Sequence, residues 1–330
     1  MVGRNSSNAY DGRSSPEEAG KPTDMSASSW WASLRRTVGE FKEDALADLA
    51  AGLTYYAILS LFPALLVLVS LLGLAGPSAT QTLTENVSAT MPADAARLVT
   101  TAIENLQGNQ AAAGVFGLVS LAIALWSASG YIAAFMRASN VVYDVPEGRP
   151  IWKTLPIRVG VTLLMVVLLS LTVVGVALTG SAAAWVGQLL GLGSTVVTVW
   201  NIAKWPVLLL IVVFMIALLY WASPNARRGF RWVSPGSVLA VVIWLLASAA
   251  FAFYVANFAS YSKTYGTMAT VVIFLVWLWI TNIAILLGEE FNAEIERGRA
   301  ISGGQPVDEE PYVDMRDVPK KKHRAHHEQE

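Results

Sequence analysis

Cysteine is absent from all 330 residues, which excludes disulfides, thiolate metal sites and cysteine nucleophiles. Histidine is nearly absent: His323, His326 and His327 stand close to the carboxyl terminus, so the apolar body of the chain has no imidazole for metal binding or acid–base work. Charge is scarce too. Asp, Glu, Lys and Arg make up 14% of the chain against 54% hydrophobic residues, a balance too apolar for an ordinary soluble domain. This is the composition of an integral membrane protein, whose first partner is the lipid bilayer. A formal net charge of −1 exerts no global pull on nucleic acid. The first 48 residues lack the basic-then-apolar layout of a cleaved signal peptide, so the amino terminus is expected to be kept.

What the chain does contain is apolar runs. Spans are predicted at 50–74, 114–136, 157–179, 205–221, 233–258 and 268–288, each near the roughly 20 residues that cross a hydrocarbon core at about 1.5 Å per residue. Pro156, Pro206 and Pro235 fall where a first helical turn tolerates a missing N–H, while Pro77 and Pro224 follow spans they cannot continue. Of the 23 Lys and Arg residues, 20 lie in the two terminal segments and the second and fourth connections. Only Arg97, Lys204 and Lys263 lie in the others. The fold class is therefore all-α: a polytopic membrane protein with six transmembrane helices and both termini cytoplasmic.

The flanking segments differ in kind. Residues 1–28 are rich in Ser, Gly, Pro and charge and read as a disordered cytoplasmic tail. Residues 29–49 place Trp30, Leu34, Val38, Phe41, Ala45 and Leu49 at helical spacing, which suits an interfacial amphipathic helix or, equally, a surface helix packed on the bundle. In the first outer loop, Pro92 to Leu106 puts Ala95, Leu98, Val99, Ala102, Ile103 and Leu106 on one face of an amphipathic helix that Gly108 can stop. Ser181 to Gly193 is too short to span and suits a re-entrant or interfacial piece. Residues 298–330 read as a second disordered tail, and Lys320, Lys321, Lys322 and Arg324 give it a basic patch suited to anionic lipid.

Polar residues within the spans are the candidates for function. On span one Tyr56, Ser60 and Pro63 share a face beside Tyr55, and Pro63 leaves the Leu59 carbonyl without its helical donor. That carbonyl serves a gate or ion site, or is simply satisfied by Ser60 or a neighbouring helix. Span two carries Trp126, Ser127, Ser129, Gly130 and Tyr131; span six carries Asn282 and Glu289 on one face. These heights match. They suggest a cytoplasm-facing polar cavity lined by Tyr55, Tyr56, Ser60, Pro63, Trp126, Ser127, Tyr131, Asn282 and Glu289, with Glu289 as its ionisable element. The competing reading pairs Glu289 and Glu290 with interfacial arginines such as Arg137, Arg158 or Arg231. On span five Gly236, Ala240, Ser248, Ala252, Ala256 and Ser260 recur every fourth residue, a seam that lets another helix approach closely. No catalytic set, metal ligands or cofactor motif is recognised.

Ala50-Ala51-Gly52-Leu53-Thr54-Tyr55-Tyr56 with Ser60-Leu61-Phe62-Pro63, then Leu125-Trp126-Ser127-Ala128-Ser129-Gly130, Pro224-Asn225, and Tyr265-Gly266 through Gly288-Glu289-Glu290-Phe291-Asn292-Ala293-Glu294 resemble, in order, the blocks of the YihY/virulence factor BrkB family. The resemblance covers about residues 40–298. It implies a bacterial plasma (inner) membrane protein of six spans whose members have no agreed activity, are linked with resistance to serum killing, and once carried a ribonuclease BN-like, tRNA-processing label. It transfers no catalytic residues. Three functions follow for weighing: a transporter or lipid-handling protein for an unknown solute or lipid, a non-transporting envelope scaffold, and a tRNA-processing ribonuclease. The first uses the polar cavity. The last lacks a phosphate path and a group to activate a nucleophile, so enzyme activity and nucleic-acid binding are not expected.

Overall fold

Apolar segments without water around their amides must close their own backbone hydrogen bonds, and a helix does so within a single segment. The computed structural model describes residues 27–73, 115–177, 194–257 and 267–319. These form eight α-helices and no strand: α1 (Ala27–Glu43), α2 (Leu46–Gly73), α3 (Val115–Ala128), α4 (Gly130–Val142), α5 (Ile151–Ala177), α6 (Ser194–Ala222), α7 (Pro235–Asn257) and α8 (Thr267–Ser302). Among the described residues four stretches are long and apolar enough to cross a membrane, Ile151–Val176, Thr195–Ala222, Pro235–Ala256 and Val271–Ser302, and Leu46–Leu61 is a shorter apolar one. The predicted helix at Pro92 to Leu106, the piece at Ser181 to Gly193, and residues 1–26 and 320–330 lie outside the described residues.

The helices close into a ring. α8 packs on α7, α2, α1 and α4; α2 packs on α3, α4 and α5; and α6 joins α5 to α7. Leu46, Leu53, Phe135, Tyr220 and Leu286 form a buried core toward one end of this ring. Elsewhere Leu171, Leu210, Leu246 and Phe253 project outward, the apolar exterior that lipid requires.

Several boundaries move from their predicted places, each for a local reason. The single span expected at 114–136 is two helices meeting at Ser129. The Ser60 hydroxyl accepts the Tyr131 N–H at 3.2 Å and donates to the Ser127 carbonyl at 3.4 Å. It thus sits in the rung that would otherwise run from Tyr131 to Ser127, an insertion that breaks a helix. Helices α5 and α6 begin upstream of their predicted starts, so Pro156 and Pro206 are interior and not in first turns, and Lys204 lies within α6 and not in a loop. Pro235 does open α7. There Ser234 and Ser237 cap each other's backbone N–H, at 3.0 and 3.1 Å, in the manner of a capping box.

The helix expected over 29–49 is interrupted where Ala45 takes a positive φ of 50° between α1 and α2. α1 can then lie along α8, with Trp30 5.8 Å from the Phe291 ring and the Ser33 hydroxyl donating to the Glu294 carbonyl at 3.4 Å. Trp31 and Val38 stay exposed on its other face. The disordered tail expected from 298 is corrected as far as Pro319. α8 runs on to Ser302, and the chain then folds back so that Met315 pairs antiparallel with Ala226. Arg227 N–H donates to Asp314 at 2.6 Å and Arg316 N–H to Asn225 at 2.9 Å. A polar composition concealed this strap because its partners are loop backbone, not a hydrophobic face.

The tightest helix contact is between α7 and α8. A Cβ on Gly236 would stand 1.9 Å from the Gly288 carbonyl oxygen, and one on Gly288 would stand 2.4 Å from that of Gly236. We expect Gly236→Ala and Gly288→Ala each to destabilise the detergent-solubilised protein by about 3 kcal/mol or more, since the overlap is with backbone. Gly160→Ala, whose Cβ meets nothing within 4 Å, should leave Tm unchanged or slightly raised. Heating followed by size-exclusion chromatography checks all three.

Candidate functional site

Inside the ring a chain of polar side chains links three helices. The Tyr131 hydroxyl on α4 donates to Asn282 Oδ1 on α8 at 2.9 Å, and Asn282 Nδ2 donates to Thr54 Oγ1 on α2 at 3.0 Å. Thr54 donates its own hydroxyl hydrogen bond to the Ala50 carbonyl at 2.8 Å. Asn282 is buried, so each link replaces water the amide has lost.

About two turns further along α8, Glu289 is completely buried. Its Oε2 accepts the Ser139 hydroxyl at 3.0 Å, while Oε1 has no hydrogen-bond partner among the described residues. Tyr131, Phe135 and Tyr220 stack in a row beside it, with ring centroids 6.3 and 6.5 Å apart. Tyr220 donates its hydroxyl to the Ile285 carbonyl. The cation nearby is Arg228, whose guanidinium is anchored on the Tyr220 carbonyl at 3.1 Å and stacks 4.6 Å from the Tyr143 ring. Arg137 and Arg158 are engaged elsewhere. Arg137 lies over Tyr56 and bonds the Ala133 carbonyl, and Arg158 bonds Ser129 and the Trp126 carbonyl. No ion pair joins Glu289 or Glu290 to a cation among the described residues.

The predicted residues divide accordingly. Tyr56, Ser60, Tyr131, Asn282 and Glu289 turn inward or line the α2–α4–α8 contact, and Ser127 contributes its carbonyl. Tyr55 and Trp126 point away, 61% and 52% exposed. Pro63 lies within a continuous α2. Of the seam, Gly236 and Ala240 meet Gly288, and Ser248 accepts from Trp277 Nε1 at 3.3 Å. Ala252 and Ala256 are exposed, and Ser260 is outside the described residues. Asn292 reinforces the seam by accepting the Gly236 N–H at 2.9 Å and donating to Ser234 at 3.1 Å.

Ser139, Tyr220 and Arg228 escape a sequence reading because nothing in their spacing says which helices will be neighbours. The same holds for a second network among the loops. Asn225 is fully buried; its N–H donates to Asn140 at 2.7 Å and its amide to the carbonyls of Pro146 and Asp317 at 2.9 and 2.8 Å. Arg149 is clamped by Glu147 at 2.7 Å and donates to the Ser223 carbonyl at 2.7 Å. That clamp holds the Glu147 carboxyl below its ordinary value despite its burial. Close by, Asp44 and Asp144 are each pushed up to about 6, first by burial and then by neighbouring carboxylates.

The profile of the family described as Virulence factor BrkB matches residues 37–310. The chain belongs to the virulence factor BrkB family. Among its relatives, "Putative ribonuclease-like protein YfkH" of Bacillus subtilis (strain 168) is 32% identical over 269 residues, which is 80% of this chain and 93% of that protein. A UPF0761 membrane protein of Alteromonas mediterranea is 28% identical over 263 residues, 77% of this chain and 84% of its own. Another, from Pseudoalteromonas atlantica, is 27% identical over 274 residues, covering 80% and 85%. No solved structure matches the chain. Together with the long apolar helices, these matches identify a BrkB-family membrane protein.

The two raised aspartates make its stability depend on pH. Folded, they hold protons that the unfolded chain has released, so stability rises as pH falls from neutral to about 5 and the gain is complete only near the unfolded pKa. Glu147, lowered in the fold, acts in the opposite direction and only at more acid pH. Asp44→Asn is expected to raise Tm at neutral pH and to flatten its rise toward pH 5. Thermal unfolding at the two pH values measures this.

Proposed function

We propose that this BrkB-family chain is a transporter or lipid-handling protein of the bacterial plasma membrane, with six spans, both termini cytoplasmic, and Glu289 as the ionisable element of its polar path. The observation that carries the reading is Glu289 Oε1, a carboxylate oxygen enclosed among α4, α6 and α8 with no hydrogen-bond partner among the described residues. A buried acceptor left open costs a few kcal/mol, and ionisable groups within a membrane bundle mark paths for ions or polar substrates. The Thr54–Asn282–Tyr131 chain continues polar lining from the same region toward α2. The bias of basic residues toward alternate connections supports the orientation.

A scaffold reading has one observation in its favour. Thr54, Asn282 and Tyr131 satisfy one another, as they would in a sealed bundle that organises envelope proteins or lipids without passing anything. A ribonuclease reading has in its favour only the name of one relative, the ribonuclease-like protein YfkH, which says nothing of tRNA.

Reconstituted vesicles separate these readings. Solute flux and lipid scrambling should exceed those of empty vesicles, fall about tenfold or more in Glu289→Gln, as loss of an essential ionisable group requires, and fall less in Tyr56→Phe. Rates equal to empty vesicles across solutes and lipids would favour the scaffold.

A further inference from the structure

A pocket at the loop end of the bundle belongs to none of the readings above. Glu40, Asp44, Asp144, Glu290 and Glu294 line it, and among the described residues Arg297 is its one lining cation. That cation is already engaged. Arg297 donates to Glu40 at 2.9 Å and Glu294 at 3.2 Å, and Glu294 is also paired with Arg36 from outside. Asp44, Asp144 and Glu290 have no ion pair among the described residues. Glu290, which lines this pocket, is 2% exposed, and its Oε2 has no hydrogen-bond partner among the described residues; the hydroxyl of Tyr143, another lining residue, also lacks one.

Such a site offers more acceptors and negative charge than its few donors, Arg297 and the tyrosine hydroxyls, can meet. Its volume of about 30 Å³ accommodates one or two groups the size of water. No group of three carboxyls among the described residues could hold a metal ion. An ammonium group, unlike a metal ion, is held by N–H···O hydrogen bonds of about 2.8 Å. We propose that this pocket binds a primary ammonium group, brought by a soluble diamine or by the headgroup of an aminolipid. Asp44 and Glu290 share a hydrogen bond, so the N–H donors then meet the open Glu290 Oε2 and the Asp44 and Asp144 carboxyls around it, and the positive charge offsets the negative charge gathered there. The site does not depend on whether the chain transports anything.

The test uses the full chain. In detergent near neutral pH it is titrated with diaminobutane, with butanediol of the same length, and with magnesium chloride. Separately it is placed in phosphatidylcholine nanodiscs with and without phosphatidylethanolamine. A saturable rise in Tm with the diamine alone, its midpoint weakened about tenfold or more in Glu290→Gln, as loss of one charge-assisted hydrogen bond implies, assigns a soluble amine. A rise confined to phosphatidylethanolamine discs and lost in the same variant assigns the lipid. Should Glu290→Gln not fold, Asp144→Asn on the exposed turn after α4 is used instead. Equal shifts from butanediol or magnesium, no shift in any arm, or a shift that the substitution leaves unchanged overturns the site.

Discussion

The approach of α7 to α8 at Gly236 and Gly288, where any Cβ would strike a facing carbonyl, is the constraint on which the rest of the structure depends. Lipid removes most of the hydrophobic reason for two apolar helices to associate, so contact rests on close packing and on hydrogen bonds that small residues permit. Asn292 supplies such bonds from α8 to the start of α7. With Gly288 held against α7 and beside Tyr220, the next residue, Glu289, is turned through about 100° and comes to Ser139 on α4. A small rotation of α8 would carry that carboxylate toward lipid.

The polar groups inside the ring follow the same economy. Ser60 satisfies the backbone at the α3–α4 break, and Asn282 joins two hydroxyls from different helices. Each bond is modest in net terms, about 1 kcal/mol, but a partner withdrawn inside the bundle leaves a group that water cannot reach. Register among α2, α4 and α8 is therefore specified by polar matching as much as by shape. Glu289 Oε1 stands apart because that matching leaves it open.

At the loop end the charges are sorted in a way that the total conceals. Within a net charge of −1, five of the 24 Asp and Glu residues are gathered around one small pocket. Arg149, Arg228 and Arg316 spend their donors on loop and helix-end carbonyls. Arg36 and Arg297 are drawn to Glu40 and Glu294. Burial, with Asp144 and Glu40 beside Asp44 and with Glu310 and Glu40 beside Asp144, is why protons bind these two aspartates more readily than in water.

The apolar runs, the helical class and the membership of a membrane-protein family were legible in the chain itself, because run length against bilayer thickness and side-chain hydropathy are local properties. Glu289, Asn282, Tyr131 and Ser60 could be singled out for a related reason: polar groups in apolar surroundings are conspicuous. Their partners were not. Ser139, Thr54's link to Asn282, the Asn225 hub and the strap that ends at Pro319 connect residues far apart along the chain, and periodicity carries no information about which faces meet. The break at Ser129 was hidden similarly, since its cause is a hydroxyl on another helix. Sequence alone determined what must leave water; the tertiary structure decided which polar atoms find one another there, because that choice depends on helix rotation and approach, and glycine backbones set both.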